Sequence, residues 1–158
     1  MADVATKLSQ SAIEAIVEGL TQSLAETSVA TMKAQNYHWN VEGMAFGPLH
    51  ALFQDMYEDH FEAQDSLAER IKMLDAHAEG RLSVYLERSK IKECDGKISD
   101  KEMIAKLQAD QETLSSTLRA LAGEAERHGD MVTNDLAIER ADKHDKFAWM
   151  LRAHLKGA

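Results

Sequence analysis

The chain is poor in the residues that staple, break or anchor a fold. Cys94 is its only cysteine, so no intramolecular disulfide can form and a cysteine-based zinc site lacks ligands, which suits a reducing compartment. A single proline, Pro48, stands in 158 residues, leaving helices almost free of their strongest breaker. No window is apolar over membrane-spanning length, and the first 30 residues carry charges where a signal peptide needs a continuous apolar core. Positive charge is scarce too: 18 basic residues face 27 acidic ones, a formal net charge of −9. That balance repels nucleic acid and anionic membranes and attracts cations, so metal ions are the natural charged partners. The expectation is one cytoplasmic domain over residues 1–158, with residues 1–8 as a short tail, long enough to bury a sizeable core.

What the chain does have is helix formers. Leu8, Ile13, Ile16, Val17, Leu20 and Leu24 recur at spacings of three and four, predicting a helix from about residue 9 to 38. Gly43 and Gly47 punctuate its end. Pro48 fits the first turn of a second helix, whose buried stripe runs Leu49, Phe53, Met56, His60, Leu67, Ile71 and Leu74 and reaches about residue 77. Residues 79–98 form a long crossover able to hold one short helix in LSVYLERSKI. Ser99 and Glu102 make a capping box that opens a third long helix, with its stripe from Met103 to Ala125 and its end at Gly129. Asp130 can cap the fourth, to about residue 156. Four long helices with one long connection between the second and third give an all-α, ferritin-like four-helix bundle with a short extra helix in the crossover.

The second helix carries another face. His50, Gln54, Tyr57, Phe61, Asp65, Ala68 and Glu69 fall nearly opposite the core stripe at 100° per residue. Polar stripes are usually solvated, but Tyr57 and Phe61 point to a second protein surface that covers this one. Asp65 and Glu69, four apart, repel unless a cation or a proton lies between them. His38 and His50 flank one turn, and imidazole with carboxylate suits iron, manganese or zinc. His50 and Asp65 lie roughly 22 Å apart along one helix, so they cannot share an ion within one chain. An antiparallel two-fold pairing of second helices, with its axis near residues 57–61, brings the histidines of one chain to the carboxylates of the other. The Glu-x-x-His motif of an intrachain di-iron bundle is absent.

The segment NYHWNVEG...F..LH..F...Y.......D..AER, residues 36–70, resembles the Dps family of mini-ferritins, and the resemblance continues in GDMVTNDL and WMLRAHL. It implies a hollow dodecamer that oxidises Fe(II), preferably with hydrogen peroxide, and stores ferric mineral. The ferroxidase centres then lie at dimer interfaces, with His38 and His50 from one subunit and Asp65 and Glu69 from its dyad mate. Many members have an acid four residues after the second histidine, where this chain has Gln54, an amide and a poorer ligand. The resemblance therefore implies one firm iron position and a weak second. Trp39 reads on its own as core packing; in the family a tryptophan here lies beside the iron and intercepts oxidising equivalents.

Asp130, Asp135 and Glu139 sit at the start of the fourth helix, where acids favour the helix dipole. The resemblance adds a three-fold pore whose acidic ring concentrates Fe(II). His60, His77, His128, His144 and His154 lack a partner at useful spacing, and His60 reads as a satisfied interior residue. Two rivals stand beside the ferroxidase cage. One is a nucleoid-binding protein, disfavoured because Lys7 is offset by Asp3 and twelve copies carry roughly −100 in formal charge. The other is a structural or metal-sequestering cage weakened by Gln54.

Overall fold

A computed structural model describes residues 8–157, so the expected tail falls outside the described residues except for Leu8, which packs against the core. Helix α1 spans Gln10–Asn40 and starts on Ser9, whose hydroxyl accepts the Ala12 N–H at 3.1 Å. A turn at Gly43, with φ at +116°, reverses the chain into α2, Phe46–Met73. Pro48 lies in the first turn of α2, where its missing N–H costs nothing. The stripe predicted α2 to about residue 77, but the helix stops at Met73. Leu74 caps it and Asp75 turns left-handed, with φ at 60°, a conformation a short polar side chain tolerates.

The crossover carries the expected short helix, α3, Leu82–Arg88. Helix α4, Asp100–Arg127, opens on the Ser99–Glu102 capping box with both reciprocal bonds formed. Helix α5, Met131–Leu155, is capped by Asp130, which accepts the Thr133 N–H. Helices α1 and α2 form one antiparallel hairpin and α4 and α5 another, with α1 packed across α4 and α3 laid on α1. This is the four-helix bundle with an extra crossover helix. Among the described residues there is no strand, and no helix is long and apolar enough to cross a membrane.

The core comes in two halves. Ile16, Leu20, Leu67, Ile71, Leu114 and Leu118 fill one end, and Tyr37, Leu49, Phe53, Met56, Leu107 and Leu151 the other. A polar belt lies between them. Arg140 holds Asp59 through two bonds of 3.0 and 2.7 Å, and His60 Nδ1–H donates to Asp59 at 3.0 Å. Gln111 donates its amide to His60 Nε2 at 3.0 Å and accepts His144 Nδ1–H at 2.7 Å. Arg140 closes the ring by donating to His144 Nε2 at 3.3 Å.

From Arg140 through His144, Gln111 and His60 to Asp59 each middle member accepts from one neighbour and donates to the next, which fixes both histidines as neutral rings protonated on Nδ1. Burial lowers the pKa of His60, with the hydrogen bond to Asp59 opposing it, and the same burial drives His144 well down, helped by its neighbours His60 and Arg140. Burial alone would raise the Asp59 carboxyl; the bonds from His60 and Arg140 outweigh it and hold the group ionised. His60 is the satisfied interior residue the stripe predicted. His144, expected to have no partner, has one in Gln111, and its ring meets His60 edge-on at 5.0 Å.

Candidate metal centre

The turn at Gly43 folds the end of α1 onto the start of α2, so that His38 and His50 stack with centroids 3.7 Å apart. Each ring is oriented by the other's backbone: His38 Nδ1–H donates to the His50 carbonyl and His50 Nδ1–H to the His38 carbonyl, both at 2.7 Å. A carbonyl only accepts, so Nδ1 carries a proton in each ring, and in the neutral imidazole form Nε2 keeps its lone pair for a cation. Metal-binding histidines are commonly fixed in this way by a bond from the second nitrogen. Tyr57 meets His38 edge-on at 5.2 Å and Phe46 stacks on His50 at 5.0 Å, so apolar walls enclose the pair. Sequence reasoning placed Tyr57 on the face of His50 but missed Phe46, although it stands one helical turn before His50.

Asp65 and Glu69 lie further along α2, exposed and one turn apart, with no hydrogen bond or ion pair among the described residues. Helix α2 runs unbroken between the histidine end and the carboxylate end, a separation of roughly 22 Å. Among the described residues no group of three or more metal-ligating side chains gathers within one chain. Each chain thus presents two half-sets of donors: two imidazoles at one end of the face and two carboxyl groups at the other. Beside this face, Trp39 is 60% and Phe61 70% exposed, and with Met32, Leu82, Leu86 and Cys94 they form the apolar part of a groove of about 490 Å³ lined by α1, α2 and the crossover. Trp39 is therefore not packed in the core of its own chain.

Gln54 sits half-buried one turn after His50 and donates its amide to Glu58 at 2.8 Å. At the far end of α2, Asp130 is only 5% exposed and fully engaged: Arg70 donates to it at 2.9 Å, as do the Thr133 N–H and hydroxyl. It serves as a buried cap that ties α2 to α5. Asp135 and Glu139 are exposed, one turn apart on α5. His128 bonds Glu124 at 2.9 Å and His154 bonds the Met150 carbonyl at 2.8 Å, both near helix ends as expected.

This bundle with donors on an outward face defines a class, and comparison with known proteins agrees. Residues 17–158 match the model of the ferritin-like domain. The "DNA protection during starvation protein" of Helicobacter pylori is 35% identical over 133 residues, covering 83% of this chain and 92% of that protein. The structure of Dps from Vibrio cholerae, described as a member of a broad superfamily of ferritin-like diiron-carboxylate proteins, superposes with a TM-score of 0.90 at 32% identity, over 94% of both chains. Dps from Staphylococcus aureus gives 0.87 at 33% identity, over 90% of this chain and 96% of that one. The chain belongs to the Dps family of ferritin-like proteins, the mini-ferritins, whose role at its coarsest is iron storage.

Proposed function

We propose that the chain assembles through its α2 face into two-fold dimers, and these into a hollow dodecamer, that oxidises Fe(II) with hydrogen peroxide and stores the ferric product. The observation that carries this reading is the division of donors on one exposed face: oriented, free imidazole nitrogens at its start and unpaired carboxylates at its end. Pairing two such faces head to tail completes two equivalent sites, each with His38 and His50 from one subunit and Asp65 and Glu69 from its mate. The exposed Trp39, Phe61 and Leu82 are then covered by the same contact, which removes a large apolar patch from water.

In each site the carboxylates favour the ferric over the ferrous state, because they stabilise the higher charge, and the stacked imidazoles fix position. Two ferrous ions give one electron each to peroxide; its O–O bond breaks and, with two protons, two waters form. Taking both electrons from one pair of irons releases no hydroxyl radical. Trp39, beside the histidines, supplies an oxidisable ring for stray equivalents. Asp135 and Glu139 would line the pore that feeds Fe(II) in, with Asp130 fixing the start of α5 beneath them. The acidic chain disfavours DNA as a partner. A weakened, merely sequestering cage is the second reading, and the amide at Gln54 is what favours it.

Stopped-flow iron oxidation with peroxide tests the reading. The wild type should turn over Fe(II) rapidly, and the double substitution His50→Ala, Asp65→Ala should abolish that phase while leaving the assembly intact. Equal rates in the two proteins would overturn the assigned site.

A further inference from the structure

His50, Gln54 and Glu58 follow one another at spacings of four, so their side chains share one strip of α2. Gln54 is the position where the family pattern places an acid. An amide has two unlike ends, and only its oxygen can bind a cation. Which end faces the iron is decided by what holds the other. Glu58 holds it: Gln54 Nε2 donates to Glu58 Oε1 at 2.8 Å, and Gln54 Oε1 has no hydrogen-bond partner among the described residues.

An ionised carboxylate only accepts, so the reverse orientation would set two acceptor oxygens against each other. Glu58 therefore excludes the flipped amide. The bond is also charge-assisted, and a donor drawn toward a carboxylate polarises its amide and leaves more negative charge on the oxygen. Gln54 and Glu58 together approach what one carboxylate would supply at Gln54, a negatively polarised oxygen one turn from the His50 ring.

We propose that Glu58 is a positioning residue for the second iron: it fixes and polarises the Gln54 amide so that the oxygen of Gln54 completes the weaker metal position. This rests on the His38, His50, Asp65 and Glu69 reading above and names what makes its second position usable. Glu58 need not touch the metal.

Cobalt(II) titration of the assembled protein tests it, because cobalt is not oxidised under these conditions and its visible spectrum reports the coordination of each ion. The wild type should show a tight event and a weaker one. Glu58→Ala should weaken the second about tenfold, the lower end of the effect of losing a supporting partner, and spare the first. Glu58→Asp, which keeps an acceptor-only partner for glutamine at the same spacing, should restore most of the loss; Glu58→Gln, which can present either end, should not. In a Gln54→Ala background Glu58→Ala should add nothing. A second event indifferent to Glu58→Ala, or weakened equally without Gln54, would overturn the proposal. A tight event that survives His50→Ala would instead overturn the underlying site.

Discussion

The Nδ1–H of His38 donates to the carbonyl of His50, and the Nδ1–H of His50 donates to the carbonyl of His38, both at 2.7 Å. Each ring thus depends on the backbone of the other, not on its ring. His50→Ala should remove one ligand and leave His38 aimed, whereas disturbing the turn should misplace both. Gly43 is the place to disturb it: φ is +116°, and a Cβ there would stand 3.0 Å from Asp100 Oδ2. Gly43→Ala should cost about 1–2 kcal/mol of stability and weaken cobalt binding at the histidine end. Thermal melts and cobalt titration check this; wild-type values for Gly43→Ala would contradict it.

The polar belt makes stability pH-dependent. His60 and His144 have pKa values below the ordinary histidine range when folded, so between those values and about 6.5 the unfolded chain binds more protons than the folded one. Stability is fully present above the unfolded value and is lost as pH falls below it, by about 1.4 kcal/mol per pH unit for each histidine. Asp59, held ionised by His60 and Arg140 against burial, adds acid lability only below about pH 4. Urea unfolding at pH 7 and pH 5.5 should show this loss, and His144→Asn should flatten the slope by about one proton. A slope unchanged by that substitution would place the titration elsewhere.

The acids at the start of α5 should separate into two behaviours. Asp130→Ala removes a cap and strands Arg70, so it should destabilise the fold by about 3 kcal/mol. Asp135→Asn with Glu139→Gln should leave the melting temperature unchanged and slow Fe(II) uptake several-fold, most strongly at low salt. Melting and uptake measured on the same samples decide between cap and pore for each residue.

Much of the fold was legible because it is written in local spacing. The stripe from Leu49 to Leu74 and the one from Met103 to Ala125 are buried in the structure, and the Ser99–Glu102 box and the Asp130 cap need only three residues of context. The end of α2 was not legible, since Leu74 continues the stripe while Asp75 leaves the helix. Nor was the belt: Asp59 meets Arg140 across 81 residues and His60 meets Gln111 across 51, and such pairings exist only once the hairpins dock. Two signals pointed to it, a histidine on an apolar stripe and Gln111 between Leu107 and Leu114. At the candidate metal centre the sequence names the donor side chains, while the reciprocal bonds that orient His38 and His50 depend on the turn that stacks the rings.

In the proposed dimer each site draws on two subunits. Co-expression of a subunit lacking both imidazoles, His38→Ala with His50→Ala, and a subunit lacking both carboxylates, Asp65→Ala with Glu69→Ala, tests this directly. Alone, each should assemble and fail to oxidise Fe(II) rapidly. Mixed at random, half the dimers are heterodimers with one intact site of two, so about a quarter of the wild-type sites should return. Mixed assemblies with no recovered activity would contradict a site shared between chains.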